Sequence, residues 1–136
     1  MARQIFVNIP VKDLNRAITF YTHLGFTFNQ QFTDENATCM IVSENIMVML
    51  LTEEFFKKFT PKPLTNAKES TEAIICISGE SREEVDKFVR LAIEAGGKAL
   101  MPKQDHGWMY GHGFEDLDGH MWEIGFMDMS ALPQNP

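Results

Sequence analysis

The side chains best equipped for chemistry crowd into one stretch, Gln104 to Glu123. It holds His106, His112 and His120, the carboxylates Glu115, Asp116, Asp118 and Glu123, and the aromatics Trp108, Tyr110 and Trp122. Imidazoles and carboxylates at this density can move protons or hold a divalent ion. Asp118-Gly119 in its midst is a strong hairpin dipeptide. A hairpin sorts the flanking residues by face. A two-residue loop sets Phe114 opposite Glu123; a four-residue loop from Asp116 sets His112 opposite Glu123. Both registers have the same parity. Tyr110, His112 and Glu123 are thus expected on one face, and His120, Trp122 and Ile124 on the other.

Glu123 lies in Met121-Trp122-Glu123-Ile124-Gly125-Phe126. A carboxylate between apolar strand neighbours is expensive to bury unpaired. It faces water, pairs with a cation or histidine, or binds a metal. Glu123 and His112 are the candidate catalytic pair. Trp108, Tyr110 and His106 are candidates for the rim or wall of a ligand cavity. Glu72, at the opening of a strand, is a second carboxylate that can face inward. Cys76 shares its parity and is expected as a buried apolar thiol, since no base is specified beside it. His23 is expected at the surface. No phosphate-binding glycine loop, paired CxxC, HExxH or GxSxG occurs.

The elements that must position these residues repeat. Ile5 to Pro10 reads as a strand. Asp13 caps a helix striped by Leu14, Ala17, Ile18, Tyr21 and Leu24 and stopped at Gly25. Phe26 to Phe32, Ala37 to Val42 and Ile46 to Thr52 read as three further strands, with a turn at Glu44-Asn45. The last is apolar on both faces and is expected to be covered on both. The order then recurs. Ala73 to Ser78 is a strand. Ser81 and Glu84 form a capping box for a helix carrying Val85, Phe88, Val89 and Ala92 and ending at Gly96-Gly97. Lys98 to Met101 is a short strand, and the hairpin follows. The helix stops lie 71 residues apart and the turns 73, which suggests an internal duplication.

The expected fold class is therefore α+β: two βαβββ modules forming a cupped mixed β-sheet with helices on the outer face. One domain spans residues 1–136, with module one at about 4–52, a crossover at 53–70, module two at about 71–127 and a loose tail at 128–136. Phe55, Phe56 and Phe59 in the crossover are expected to pack on the sheet, a lid or dimer contact being the sharper alternative.

Composition bounds the partners. Apolar residues make up 44% and charged residues 23%, as in ordinary globular chains. Twelve basic against nineteen acidic residues give a net charge of −7. That argues against nucleic acid and an anionic membrane, and suits a neutral or cationic small ligand. No signal-peptide pattern opens the chain, so a cytoplasmic location is expected. Two cysteines make no disulfide framework. Nine methionines and eleven phenylalanines can fill a core or line a soft cavity.

The segments Val11-Lys12-Asp13-Leu14, Phe20-Tyr21, Leu24-Gly25-Phe26 and Glu115-Asp116-Leu117-Asp118-Gly119-His120-Met121-Trp122-Glu123 carry a resemblance. It is to the vicinal-oxygen-chelate superfamily of glyoxalases, bleomycin-resistance proteins and extradiol dioxygenases. The resemblance runs from about Ile5 to Phe126 and looks closest to lactoylglutathione-lyase-like proteins. It implies paired βαβββ modules, a small-molecule ligand and a homodimer. In metal-dependent relatives the ligands come from the first and last strands of each module. The resemblance places Phe6, Met49, Glu72 and Glu123 at those positions. Two are apolar and one is altered, so any divalent ion (nickel, zinc or manganese) would be held weakly through Glu123 and Glu72, with Phe6 and Met49 left to line the cavity. Two readings follow. One is a glyoxalase-like lyase or isomerase with Glu123 as base or ligand. The other is a non-catalytic protein of the bleomycin-resistance type, sequestering a small and flat, neutral or cationic molecule by stacking and cation–π contacts.

Overall fold

The computed structural model describes residues 2–132. The chain divides into two compact units, the first ending at Thr65 and the second beginning at Asn66. Each holds one four-stranded mixed sheet. The boundary falls inside the 53–70 crossover.

In the first unit, β1 (Ile5–Val11) pairs in parallel with β4 (Ile46–Thr52). The latter pairs antiparallel with β3 (Ala37–Ser43), and β3 with β2 (Thr27–Asn29). Helix α1 (Leu14–His23) starts where Asp13 accepts the Arg16 N–H at 3.1 Å, the capping geometry that short acidic side chains supply. Its Leu14, Ala17, Phe20 and Tyr21 are buried. Met47, Val48, Leu50 and Leu51 of β4 are buried from both sides of the strand, as its double apolar pattern requires. The strand expected over Phe26 to Phe32 is shorter. After Asn29 the chain turns into a 3-10 helix at Gln30–Phe32, because the Asn29 side chain accepts the Gln31 N–H at 3.0 Å. Helix α2 (Glu53–Phe56), capped by Thr52, packs against β1 and β4, but Phe59 beyond it does not pack on the sheet as expected: it is exposed and meets Phe55 edge-on at 5.2 Å.

In the second unit, β5 (Ile74–Ser78) pairs in parallel with β8 (Met121–Met127). The latter pairs antiparallel with β7 (Met109–Glu115), and β7 with β6 (Gln104–Asp105). Helix α3 (Arg82–Glu94) begins at Ser81, whose hydroxyl accepts the Glu84 N–H at 3.0 Å. The return bond of the capping box is shifted by one residue: the Glu84 carboxylate accepts from the Glu80 N–H at 2.9 Å. Val85, Val89 and Ala92 of α3 are buried, and the helix packs on β7 and β8. The strand expected at Lys98 to Met101 reduces to a single bridge between Lys98 and Glu115. The edge strand instead begins six residues later, where Gln104 and Asp105 meet Gly111 and Tyr110.

The tail expected to be loose carries a 3-10 helix at Met129–Ala131, capped by Asp128; Pro133 and Pro136 lie outside the described residues. Among the described residues no helix is long and apolar enough to cross a membrane.

Candidate functional site

The register of the second hairpin decides which side chains meet. Glu115 pairs with Met121, so the loop is five residues long, Asp116 to His120. An odd loop reverses the expected parity. Glu123 lies opposite Gly113, and His112 opposite Ile124. This corrects the expectation that Tyr110, His112 and Glu123 share a face. Tyr110, His112, Phe114, Trp122 and Ile124 take the side covered by α3, while Met109, Gly111, Gly113, Met121, Glu123, Gly125 and Met127 take the other. The cause is Asp116. Its buried carboxylate accepts the Asp118 and His120 N–H groups, both at 2.9 Å, and closes a loop that the Asp118-Gly119 pair alone does not specify.

On the helix side, the Tyr110 hydroxyl donates to Asp86 of α3 at 2.6 Å. The Arg82 guanidinium lies 4.9 Å from the Tyr110 ring centroid. The His112 ring meets the Met101 carbonyl at 3.0 Å. It also borders a shallow depression of about 460 Å³ against α3, beside Asp86, Arg90 and Lys103. These two residues therefore fasten the sheet to its helix and to the 98–105 segment.

The open face carries a larger hollow of about 750 Å³, within the range of small-molecule sites. Its floor is β5, β8 and β7, with Cys76, Glu123, Gly111 and Gly125 among the lining residues. One wall is the 100–108 segment, with Leu100, Met101, Pro102 and Trp108. Glu123 is exposed, as is Cys76 opposite it on β5. The expectation of a buried Cys76 is thus overturned: its face of the sheet is the uncovered one. Partial burial pushes the Cys76 thiol up from its usual range, and the Glu123 charge adds to that. Cys76 is consequently a protonated thiol near neutral pH and a slow nucleophile.

Other expected site residues fall elsewhere. His106 is exposed in the loop, its ring 3.3 Å from the Gln104 side chain. Glu72 is exposed, ahead of β5 and outside the lining of the hollow. Phe6, 50% exposed, and half-buried Met49 lie on one face of the first unit's sheet, where Phe6 pairs with Met47 and Met49 with Asn8 and Cys39. A chelated divalent ion does not fit this donor set. Phenylalanine has no lone pair to give, thioethers suit soft ions, and His112 points away from Glu123. Among the described residues no three histidine, cysteine or carboxylate side chains converge.

The wall containing Trp108 is held from behind the sheet. Arg82 donates to the Asp105 carboxylate and to the Gly107 carbonyl, both at 2.9 Å. The Gly107 N–H and then Arg82 hold the Asp105 carboxyl below its usual range. Arg82→Ala is expected to loosen the wall and speed labelling of Cys76 by a chromogenic aromatic disulfide about threefold or more, with buried Cys39 still silent. Equal labelling rates in the variant and the native protein would show that Arg82 does not hold the wall.

The sequence reading missed Cys76 as a hollow-lining thiol, the wall residues Leu100 to Pro102, and Arg82. It also passed over the glycines at 111, 113 and 125. Their alternation in two adjacent strands, Gly-His-Gly and then Gly125, was the available signal, since glycine weakens a strand unless something needs the space.

Comparison with known proteins agrees with this architecture. The model of the glyoxalase/bleomycin resistance protein/dioxygenase superfamily matches residues 3–124. The chain belongs to that superfamily. A hypothetical protein from S. aureus is 28% identical, with a TM-score of 0.78 over 93% of this chain and 94% of that one. A glyoxalase/bleomycin resistance protein/dioxygenase family enzyme from Burkholderia phytofirmans is 17% identical, with a TM-score of 0.76 over 93% and 99%. The fosfomycin resistance protein of Listeria monocytogenes, solved with Mn(II) and sulfate, is 16% identical, with a TM-score of 0.70 over 96% and 94%. The search of curated proteins finds no match.

Proposed function

We propose that this superfamily member binds a small organic molecule in the hollow of its second sheet, anchored by Glu123 and without a chelated metal. The observation that carries the reading is the placement of Glu123. It is the one carboxylate among the lining residues, exposed on a floor it shares with glycines, the Cys76 thiol, the Ser78 hydroxyl and the thioethers of Met109, Met121 and Met127. A ligand with an apolar body and a cationic or strongly donating group matches such a lining, because a charge-assisted hydrogen bond to a carboxylate is worth about twice a neutral one. Trp108 in the wall offers a ring for stacking or cation–π contact. A homodimer in the cytoplasm completes the reading.

The test is a thermal-shift screen of small amines and uncharged analogues against metal-stripped protein. Amines are expected to raise Tm, equally with and without a chelator, and Glu123→Gln is expected to weaken their binding about tenfold. Shifts that vanish with the chelator, or that Glu123→Gln leaves unchanged, would overturn it. A second reading, a lyase or isomerase, is favoured by the same carboxylate at the open floor, where a base can reach a bound molecule. Product formed by the native protein and not by Glu123→Gln would support it.

A further inference from the structure

The crossover of the first unit carries a charge pattern that the hollow does not use. Residues 55–64 read Phe-Phe-Lys-Lys-Phe-Thr-Pro-Lys-Pro-Leu. They hold three of the chain's twelve basic residues and none of its nineteen acidic ones, in a chain of net charge −7. Lys57, Lys58 and Lys62 are all exposed, as are Pro61 and Pro63. Phe59 lies within three residues of each lysine and is 67% exposed. Its ring leans edge-on against half-buried Phe55, so its outward position is supported from below.

The lysines have carboxylates close by in sequence and do not use them. Glu53 and Glu54 stand four residues before Lys57 and Lys58, the spacing that pairs the two charges on an α-helix. At Lys57 the chain tightens into a 3-10 helix (Lys57–Phe59), whose shorter turn breaks that alignment. Among the described residues no ion pair joins a carboxylate to Lys57, Lys58 or Lys62. The Lys58 ammonium lies instead 5.8 Å from the Phe55 ring centroid. Beyond Phe59 the main chain of Thr60–Thr65 makes no backbone hydrogen bond among the described residues. Its two prolines restrict it all the same, which lowers the entropy lost when a partner orders it. From this we infer that residues 57–63 dock an acidic segment of a partner protein. Phe59 is the anchor, received by a large apolar side chain, and the three lysines meet carboxylates around it, the arrangement of an apolar hot spot inside a polar rim. Charge complementarity selects an acidic partner, and the rest of the chain selects a narrow one. A bilayer or a long nucleic acid presents its negative charge to everything within a Debye length of about 8 Å, including this chain's many carboxylates, whereas a peptide meets the lysine cluster alone.

The experiment is fluorescence anisotropy with the full chain and a labelled decapeptide that alternates glutamate and leucine. A glutamine–leucine peptide and a glutamate–glycine peptide remove the charge and the apolar side chains in turn. The acidic apolar peptide is expected to bind, and to weaken at least about threefold between about 50 and 200 mM salt. Lys57→Glu with Lys58→Glu is expected to cost at least about tenfold in affinity and Phe59→Ser about threefold. All three positions are exposed, and far-UV circular dichroism checks that each variant is folded. Lys87→Glu with Lys98→Glu makes the same change in net charge at exposed positions elsewhere and is expected to leave affinity within about twofold. An equal loss in both double variants overturns the proposal, because net charge alone would then explain binding. So does equal binding of the glutamine–leucine peptide, or no binding of the acidic peptide at millimolar concentration. Tighter binding to phosphatidylserine vesicles or to a single-stranded oligonucleotide than to the peptide also overturns it, and assigns the lysines to a different class of partner.

Discussion

Trp122→Ala is expected to lower stability by about 3–5 kcal/mol, the range for removing a buried large aromatic. Trp122 is 1% exposed, in the centre of the second unit. Its ring lies parallel to that of Phe114, its cross-strand partner, with centroids 6.3 Å apart and an interplanar angle of 2°. Trp122 also pairs with Ile75 on β5, and the same face is closed by α3. Alanine would leave a cavity walled by strands on one side and a helix on the other, neither able to collapse into it fully. Since whole domains are stable by only about 5–15 kcal/mol, the loss is a large share of the total. Chemical denaturation followed by far-UV circular dichroism measures it. Trp122→Phe, which keeps a ring in place, is expected to lose less than half as much. A loss below about 1 kcal/mol for the alanine variant would mean that the second core does not depend on this stack.

Gly119→Ala is the second large effect, at about 3 kcal/mol. Two causes add. Gly119 has φ +94°, where an alanine is strained. A Cβ there would also lie 2.6 Å from the Lys68 nitrogen and 2.7 Å from the Ala67 carbonyl carbon. Those are backbone atoms of a turn held by Asn66, whose side chain accepts the Lys68 N–H at 3.1 Å. Neither side gives way easily, because Asp116 grips the hairpin loop through its two bonds. The expected fall in Tm is roughly 10 °C. Gly125→Ala is the matched control and is expected to change stability by no more than about 0.5 kcal/mol, since its Cβ meets nothing. Equal effects at the two glycines would refute the contact argument.

Much of the fold was legible in the residues. Asp13, Gly25, Ser81 and Gly96 bound the helices, and β4 runs over Ile46–Thr52 as its apolar pattern indicates. The repeat of strand and helix order was visible in the spacing of stops and turns. Pairing parity was not. Asp118-Gly119 marks a turn without fixing its length, and the loop is set by the Asp116 carboxylate, a contact between residues two and four apart. One residue of loop length moves Tyr110 and His112 to the helix side. Cys76 was misjudged for a related reason. Cysteine is commonly buried, but burial follows from which sheet face α3 covers, and that again depends on register. Glu123 stood out because a carboxylate amid apolar strand neighbours needs a reason, and the open hollow supplies one.

Cys76 provides the most direct test of the central claim, that a small molecule occupies the hollow against Glu123. Its thiol faces that space, while Cys39 is buried. The measurement is the rate of Cys76 alkylation, with and without each of a panel of small amines, in native protein and in Glu123→Gln. Removing the Glu123 charge lowers the thiol pKa and so speeds basal labelling, which is why the ratio of protected to unprotected rate is compared within each protein. The account expects amines to slow alkylation severalfold in native protein and to lose most of that protection in Glu123→Gln. Protection by no compound, or protection identical in the two proteins, would contradict it.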